Sequence, residues 1–208
     1  MKSKILIVIP AFNAEKFLQR SIESCLNQTL SAEIWIVDNC SEDNTVNIVK
    51  SFQEDHSNIR LRQNDTNLGR IGNWNKCLEL FEESEFDYLK FLFMGDELEK
   101  NCIEKLHNVI SNHNNLATVS WPYKFVDDNK TDLAKPLFSQ DKLLTKEDLV
   151  DYDLFPGHFL GAIVSVLLSK KSIENNRFDD HFIGIVPFYD RALLKGDSYY
   201  LAEHLSVF

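Results

Sequence analysis

Four polar side chains that could bind a ligand follow, in turn, four apolar runs of the chain. In chain order these residues are Asn13, Asp38, Asn67 and Asp96. Amide and carboxylate oxygens accept hydrogen bonds, and a carboxylate can also hold a divalent cation. One such residue alone would indicate little, because Asn and Asp are common in turns. Four in succession indicate a single binding edge for a polar ligand.

The apolar runs predict the strands that must position these side chains. The four that precede the polar residues are Ile5–Ile9, Ile34–Val37, Ile59–Arg62 and Tyr88–Phe93. A fifth run, Ala117–Trp121, comes later in the chain. The first is continuously apolar, which is typical of a strand buried on both faces of a sheet. Helical patterns separate the runs, so the sequence predicts an α/β fold with a mostly parallel, Rossmann-like sheet flanked by helices. Ligands bind such sheets beyond the carboxyl ends of the strands, where the four polar residues fall.

The intervening helices are predicted from apolar stripes and start signals. Leu18, Ile22 and Leu26 share one helical face, and the triplet Ser41-Glu42-Asp43 has the chemistry of a helix start. Two further helices are predicted over Asn73–Glu83 and Glu99–Ser111.

The regular alternation of strand and helix ends at Trp121. Beyond it, Tyr123–Pro136 is polar and rich in turn residues, Thr145 opens a short helix, and Ile163–Leu168 is a further strand. We therefore expect a regular half over residues 1–121 and a smaller, irregular lobe over residues 122–208, within one compact domain.

Charge and cysteine usage exclude several classes of protein. The chain of 208 residues has 22 Lys and Arg against 32 Asp and Glu, a net charge of −10, which argues against nucleic acid as a partner. The four cysteines form no Cys-x-x-Cys pair and the six histidines show no zinc spacing, so we expect reduced thiols. No apolar run reaches the roughly 20 residues of a membrane span. We expect a cytoplasmic protein with at most peripheral membrane association.

The motifs around the four polar residues resemble those of the inverting glycosyltransferases with the GT-A fold, glycosyltransferase family two. The matching stretches are Ile5–Asn13, Ile36–Asp43, Asn67–Asn75 and Tyr88–Asp96. The resemblance implies a GT-A fold with a nucleotide-sugar-binding half and a smaller acceptor-side lobe. It also implies transfer of a sugar, with inversion, from a nucleoside diphosphate donor (a uridine one) to a hydroxyl acceptor. The implied acceptor is a saccharide or a lipid-linked glycan of the cell surface.

The resemblance assigns the donor's base to the first two loops. Pro10 and Asn13 would shape the first nucleotide-facing loop, and Phe12 occupies a position where the family often has Tyr. Asp38 would accept a hydrogen bond from the uracil edge, since an ionised carboxylate is an acceptor only. The alternative for Asp38 is a turn-forming residue at a strand end.

The third loop is assigned to the rest of the nucleotide. Asn67 and Gly69 would line the base and ribose, and Arg70 would lie near the phosphates. The alternative is a plain turn followed by a solvated Arg. Asn73 is also a candidate for this site, although for Asn73 and Asn75 a role in starting or decorating a helix is the favoured interpretation.

Asp96 is assigned to a divalent metal, Mg²⁺ or Mn²⁺, bound between the protein and the donor diphosphate. The family usually has Asp-x-Asp here, whereas this chain reads Phe93-Met94-Gly95-Asp96, and some relatives also have Gly-Asp. One carboxylate suffices for Mg²⁺ when phosphates and water complete its shell, and Glu97 could assist. The alternative is that Asp96 caps a helix starting at Glu99.

The catalytic base is the least defined residue. The family supplies a carboxylate from a Glu-Asp pair in the second lobe, and the stretch Ile183–Arg191 has no such pair. Asp190 is the nearest candidate, Asp179 and Asp180 come next, and His158 is more remote. The alternative for Asp190 is a surface residue paired with Arg191 or Lys195.

The missing pair keeps a second hypothesis open, a catalytically inactive member that serves as a nucleotide-binding or assembly subunit. Relatives usually continue beyond the residues that end this chain, so we expect a shortened protein or a fragment. A dinucleotide-dependent oxidoreductase is disfavoured because no Gly-x-Gly-x-x-Gly follows the first strand. The donor sugar, the acceptor, the linkage and the oligomeric state stay open.

Overall fold

The computed structural model describes residues 4–126, 130–145, 147–148, 165–179 and 185–207. Its strands are β1 Ile5–Ala11, β2 Glu33–Asp38, β3 Ile59–Gln63, β4 Tyr88–Phe91, β5 Glu97–Leu98, β6 Leu116–Ser120, β7 Tyr123–Val126, β8 Thr131–Leu133, β9 Lys142–Leu144, β10 Val166–Ser169, β11 Asp197–Tyr200 and β12 Ser206–Val207. Its helices are α1 Leu18–Leu26, α2 Thr45–Asp55, α3 Gly69–Glu82, α4 Cys102–Asn112, α5 Lys170–Ile173 and α6 Ile185–Leu193.

Eight strands form the central sheet, in the order β3-β2-β1-β4-β10-β6-β11-β9. The first four are parallel, whereas β10 runs antiparallel to both of its neighbours, β4 and β6. The fold is therefore α/β, as predicted, and the sheet is mixed. Strands from before and after Trp121 alternate within this sheet, so both predicted halves contribute to it. The division at residue 121 stays a prediction.

Strand β1 explains how the sheet is covered on both faces. Its odd-numbered residues from Ile5 to Ala11 pack with α1, α2 and α4, while Leu6 and Val8 pack with α3, α5 and α6. All seven residues of β1 are buried. Successive side chains of a strand point to opposite faces, so a continuous apolar run is what such a two-sided core requires.

Strand β1 extends two residues beyond the predicted end, through Pro10. The β4 side of the strand is paired only as far as Val8, opposite Phe91, whereas the β2 side stays paired to Ala11. A proline removes a donor from a sheet, but it is tolerated where one side of the strand has no partner. Strand β4 correspondingly ends at Phe91 and not at Phe93.

Two helix starts differ from the prediction. Helix α3 begins at Gly69, because the turn signal at Asn67–Gly69 is the helix entry and not a separate loop. Helix α4 begins at Cys102, because Glu97–Leu98 forms β5 and pairs with β12. Helix α2 begins at Thr45, whose N–H is accepted by the Asp43 side chain at 2.9 Å.

The stretch Tyr123–Pro136, which is polar and rich in turn residues, contains two strands that the sequence analysis did not predict. Within it, β7 and β8 pair antiparallel, and they join β12 and β5 in a second, four-stranded sheet. Thr145 and Asp148 exchange the hydrogen bonds of a helix start, and the rest of the short helix predicted there lies outside the described residues. In the described ranges, no helix has the length and apolar character needed to cross a membrane.

Candidate functional site

A cavity of about 350 Å³ lies at the carboxyl edge of the central sheet. It is lined by residues from the end of β1, from the loops after β1, β2, β3 and β4, and from the start of α3. Those predicted as site residues are Pro10, Phe12, Asn67, Gly69, Arg70 and Asn73, and the others are Ala11, Asn39, Trp74 and Met94. The strand order β3-β2-β1-β4 brings these loops to one edge, as the sequence predicted.

Asn39 holds the cavity wall together. Its Nδ2 donates to Asn67 Oδ1 at 2.8 Å and to the Gly69 carbonyl at 3.2 Å. Its Oδ1 accepts the Leu68 N–H at 2.9 Å and the Asn64 Nδ2 at 3.0 Å. Sequence reasoning did not assign Asn39 a role, although it directly follows Asp38. The network fixes the loop between β3 and α3 against the end of β2.

Asn73 belongs to the same amide network. Its Nδ2 donates to the Val37 carbonyl at 3.2 Å, and its Oδ1 accepts Asn64 Nδ2 at 2.9 Å. Asn73 is buried within α3, four residues after its first residue, so the interpretation that Asn73 starts the helix is wrong.

Asp38 ends β2 and is completely buried. Its Oδ2 accepts the Ser41 N–H at 3.2 Å, and its Oδ1 has no hydrogen-bond partner. A buried carboxylate oxygen without a donor costs free energy, so a ligand N–H that reached it would be strongly favoured. Asp38 itself is not among the residues that line the 350 Å³ cavity, whereas Asn39, which follows it, and Ala11, which pairs with it in the sheet, are.

Asn13 connects the first loop to the second and is absent from the lining of the 350 Å³ cavity. Its N–H donates to Ser41 Oγ at 2.9 Å, and its Oδ1 accepts the Glu42 N–H at 2.9 Å. The residue has φ of 47°, a left-handed conformation that Asn tolerates better than most residues. Its contribution is to fix the loop that follows Pro10 and Phe12.

Asp96 follows a tight turn after β4. The turn is made by Gly95 at φ 95°, whose N–H donates to Ser21 Oγ at 2.9 Å, and Ser21 Oγ also contacts the Asp96 carbonyl at 2.8 Å. Burial raises the pKa of the Asp96 carboxyl to about 6, while Lys90 and Arg20 act to lower it. Helix α4 starts six residues later with Asn101 at its N-cap, so the interpretation of Asp96 as its cap is wrong.

Lys90 is a buried cation in β4 that sequence reasoning missed. It has no exposed surface, its Nζ donates to the Phe91 carbonyl at 2.6 Å, and the same atom lies 5.2 Å from the centre of the Trp121 ring. Burial lowers its pKa to about 8, and Asp96 is among the groups that act to raise it. The available signal was a lysine inside an apolar strand.

The residues present fit a cation only in a limited way. Among the described residues, no three His, Cys, Asp or Glu side chains form a metal-binding group. Asp96 offers one carboxylate, and Glu97, the first residue of β5, is half-buried beside it. This donor set suits Mg²⁺ or Mn²⁺ only if donor phosphates and water supply most of the ligands. The metal at Asp96 stays a prediction.

The candidate bases lie in or before α6. Asp190 is half-buried on that helix and is not among the residues that line the 350 Å³ cavity. Arg191 forms its ion pair with Asp179, both terminal nitrogens lying 3.2 Å from Asp179 Oδ2. Asp180 and His158 lie outside the described residues. The role of each as base stays a prediction.

An α/β chain whose strand-ending loops form an amide-lined cavity belongs to the broad class of Rossmann-like α/β folds. The particular family follows from the comparisons: the chain belongs to glycosyl transferase family 2, whose family model matches residues 6–168.

The chain is similar to proteins named as glycosyltransferases. It is 30% identical over 177 residues to an uncharacterized glycosyltransferase of Haemophilus influenzae, covering 84% of this chain and 65% of the relative. It is 27% identical over 210 residues to the GalNAc(5)-diNAcBac-PP-undecaprenol beta-1,3-glucosyltransferase of Campylobacter jejuni, covering 99% of this chain and 64% of the relative. The chain thus spans less than two thirds of these relatives' length.

The fold is shared with a solved glycosyltransferase. The crystal structure of S. aureus TarS 1-349 in complex with UDP superposes with a TM-score of 0.80 at 18% identity, covering 99% of this chain and 60% of that one. The expected GT-A fold is confirmed by this likeness.

Proposed function

We propose that the chain transfers a sugar from a nucleoside diphosphate donor, a uridine one, to a hydroxyl acceptor with inversion. The observation that carries the proposal is the buried Oδ1 of Asp38, which has no hydrogen-bond partner and belongs to the residue directly before Asn39 of the cavity wall. The N3–H of uracil is a donor that satisfies such an oxygen, whereas the ring nitrogen at the same place in cytosine is an acceptor. Family membership and the fold shared with a UDP complex support the same assignment.

The cavity wall suits the remainder of the nucleotide. Arg70 lines the cavity and stacks over Trp74, with its guanidinium carbon 5.4 Å from the ring centre. A guanidinium there presents a fixed positive charge to a diphosphate in a protein that is otherwise acidic. Asn67 and Gly69 line the same wall and would meet the ribose.

In the proposed reaction an acceptor hydroxyl attacks the anomeric carbon from the face opposite the departing diphosphate. A carboxylate accepts the hydroxyl proton, and Asp190 and Asp180 are our candidates for it. Asp96, with Glu97 beside it, would hold Mg²⁺ or Mn²⁺, which supplies charge neutralisation to the leaving diphosphate. Gly95 and Ser21 keep the Asp96 backbone in place for this role.

The acceptor is proposed to be a saccharide or a lipid-linked glycan in cell-surface glycan synthesis. The similarity to the Campylobacter jejuni enzyme, whose name specifies an undecaprenol-linked acceptor, supports this class.

A second candidate function is nucleotide binding without transfer. It is favoured by the sequence from Ile183 to Arg191, which lacks a Glu-Asp pair. It also fits the ion pair between Arg191 and Asp179, which engages one of the candidate carboxylates.

The test is titration of the chain with UDP, in the presence and absence of Mn²⁺, followed by measurement of UDP release from UDP-GlcNAc and other UDP-sugars. Binding of UDP with turnover supports the transferase, and binding without turnover supports the second candidate. Absence of UDP binding at millimolar ligand would refute both. GDP and CDP serve as matched controls for recognition of the base.

A further inference from the structure

Residues Asn176 to Asp179, here called the anchored segment, form no helix or strand and yet are held at every position. Asn176 is buried and its Nδ2 donates to the carbonyls of Ser172 and Phe188, at 3.2 and 2.9 Å. Arg177 forms an ion pair with Glu82 at the end of α3. An irregular segment restrained in this way has little conformational freedom left to lose.

Arg191 of α6 holds the same segment from the other side. Its Nε donates to Asn176 Oδ1 at 2.8 Å, and its Nη2 donates to the Arg177 carbonyl at 2.7 Å. The two terminal nitrogens also contact Asp179 Oδ2. The guanidinium therefore fixes the orientation of the Asp179 side chain.

Asn75 of α3 makes the connection to the donor cavity. Its Oδ1 accepts the Phe178 N–H at 2.9 Å, and its Nδ2 donates to the Phe178 carbonyl at 3.0 Å. One amide side chain thus pairs with both backbone groups of one residue, 103 positions away in the chain. No part of this arrangement is needed to form α3, because the helix makes its own backbone bonds.

The preceding residue, Trp74, lines the cavity and also packs against the segment. Its ring meets the Phe178 ring edge-on at 5.4 Å, and Phe178 stacks on Phe188 of α6 at 4.0 Å. Two consecutive residues of α3 therefore contact Phe178: the ring of Trp74, which also lines the cavity, packs against the Phe178 ring, and Asn75 fixes the Phe178 backbone. A ligand that restrains Arg70 and Trp74 restrains this connection as well.

We propose that Asn75 is a positioning residue that couples occupation of the donor cavity to the placement of the anchored segment and the Asp179 carboxylate. The inference rests on the proposed function, since it takes the cavity ligand to be a uridine diphosphate donor. The anchored segment, which ends at Asp179, is thereby held against the donor-binding helix α3.

The experiment compares wild type with Asn75→Ala, and uses Asn47→Ala, an exposed amide on α2, as the matched control. Backbone hydrogen exchange over residues 170–195 is measured with and without UDP and Mn²⁺. In wild type, UDP slows exchange in the anchored segment about tenfold, as expected for a stabilised hydrogen-bonded unit. In Asn75→Ala, UDP still binds with an affinity within about threefold of wild type, yet it leaves exchange of the segment unchanged.

A purely structural role for Asn75 would change the exchange rates of the free protein but not the difference that UDP makes. Equal protection by UDP in wild type and Asn75→Ala overturns the coupling, and so does UDP binding to wild type without any protection of the segment. Failure of wild type to bind UDP overturns the proposed function itself. If Asn75→Ala does not fold, Asn75→Asp provides the same test, because it keeps the side-chain shape and the acceptor for the Phe178 N–H. In that variant UDP slows hydrogen exchange of the anchored segment by less than in wild type. Where UDP-GlcNAc is turned over, kcat falls roughly 10- to 100-fold in Asn75→Ala while KM for the donor stays within about threefold.

Discussion

Replacement of Asp38 by Asn tests how the cavity recognises a nucleotide base. The change keeps the size of the side chain and removes its charge at a site with no solvent exposure. If Oδ1 accepts the uracil N3–H, the variant loses a hydrogen bond to a charged group, which is worth about 1.5–3 kcal/mol. That loss corresponds to a UDP affinity about 10- to 150-fold weaker.

The assay is isothermal titration with UDP and CDP in parallel. The amide introduced by Asp38→Asn can donate to the ring nitrogen of cytosine, which favours CDP. The ratio of UDP affinity to CDP affinity therefore falls by a larger factor than the UDP affinity does. Asp65→Asn, at an exposed position in the loop after β3, removes the same charge and leaves UDP binding unchanged.

Stability separates recognition from folding in this experiment. In the free protein Asp38 Oδ1 is buried without a donor, so its neutral replacement keeps or raises the melting temperature. Unchanged UDP affinity in a folded Asp38→Asn variant would show that the base is read elsewhere, and the reasoning from the unpartnered oxygen would be refuted.

Three further predictions concern the rest of the site. Asp96→Asn abolishes the effect of Mn²⁺ on UDP binding. Burial raises the pKa of the Asp96 carboxyl from 3.8 to about 6, so ionisation of this carboxyl lowers the stability of the folded protein as the pH rises from about 4 to 6. The variant therefore has a higher melting temperature than wild type at pH 7.5 but not at pH 3.5. Gly95→Ala lowers the free energy of unfolding by about 1–3 kcal/mol in urea, because φ is 95° and the new Cβ would lie 2.8 Å from Arg20 Nη2, whereas Gly69→Ala, with φ 71° and open space, costs less. A thiol reagent labels Cys40 rapidly in the native protein, and fast labelling of more than one thiol would contradict the burial of Cys25, Cys77 and Cys102.

The cavity was predictable because its elements follow short-range rules. A continuous apolar run gave β1, alternation with helices gave the parallel order, and that order brings Pro10, Asn67 and Gly69 to one edge. The amide network was less accessible, since an Asn in a turn is common and nothing local distinguishes Asn39 from a turn former. Its role depends on atoms contributed 25 to 30 residues later.

The second sheet could not be derived from periodicity. Its strands β5 and β12 have two residues each, too few to display alternation, and their pairing joins Leu98 to Ser206. The position of α6 is similarly non-local, because Asn176 of the anchored segment contacts both the Phe188 carbonyl and the Arg191 side chain of that helix. For the same reason the sequence, which placed Asp190 before Asp179 as a candidate base, did not reveal that Arg191 pairs with Asp179.

The place of β10 in the sheet has a consequence for biosynthesis. This strand completes the ladder between β4 and β6, although it leaves the ribosome after both of them. Until Ser169 has emerged, the nascent chain carries two adjacent open strand edges in the middle of its future core, and such edges pair readily with other chains. A chaperone that shields β4 during this interval would therefore raise the yield of native protein more than one acting on the finished chain.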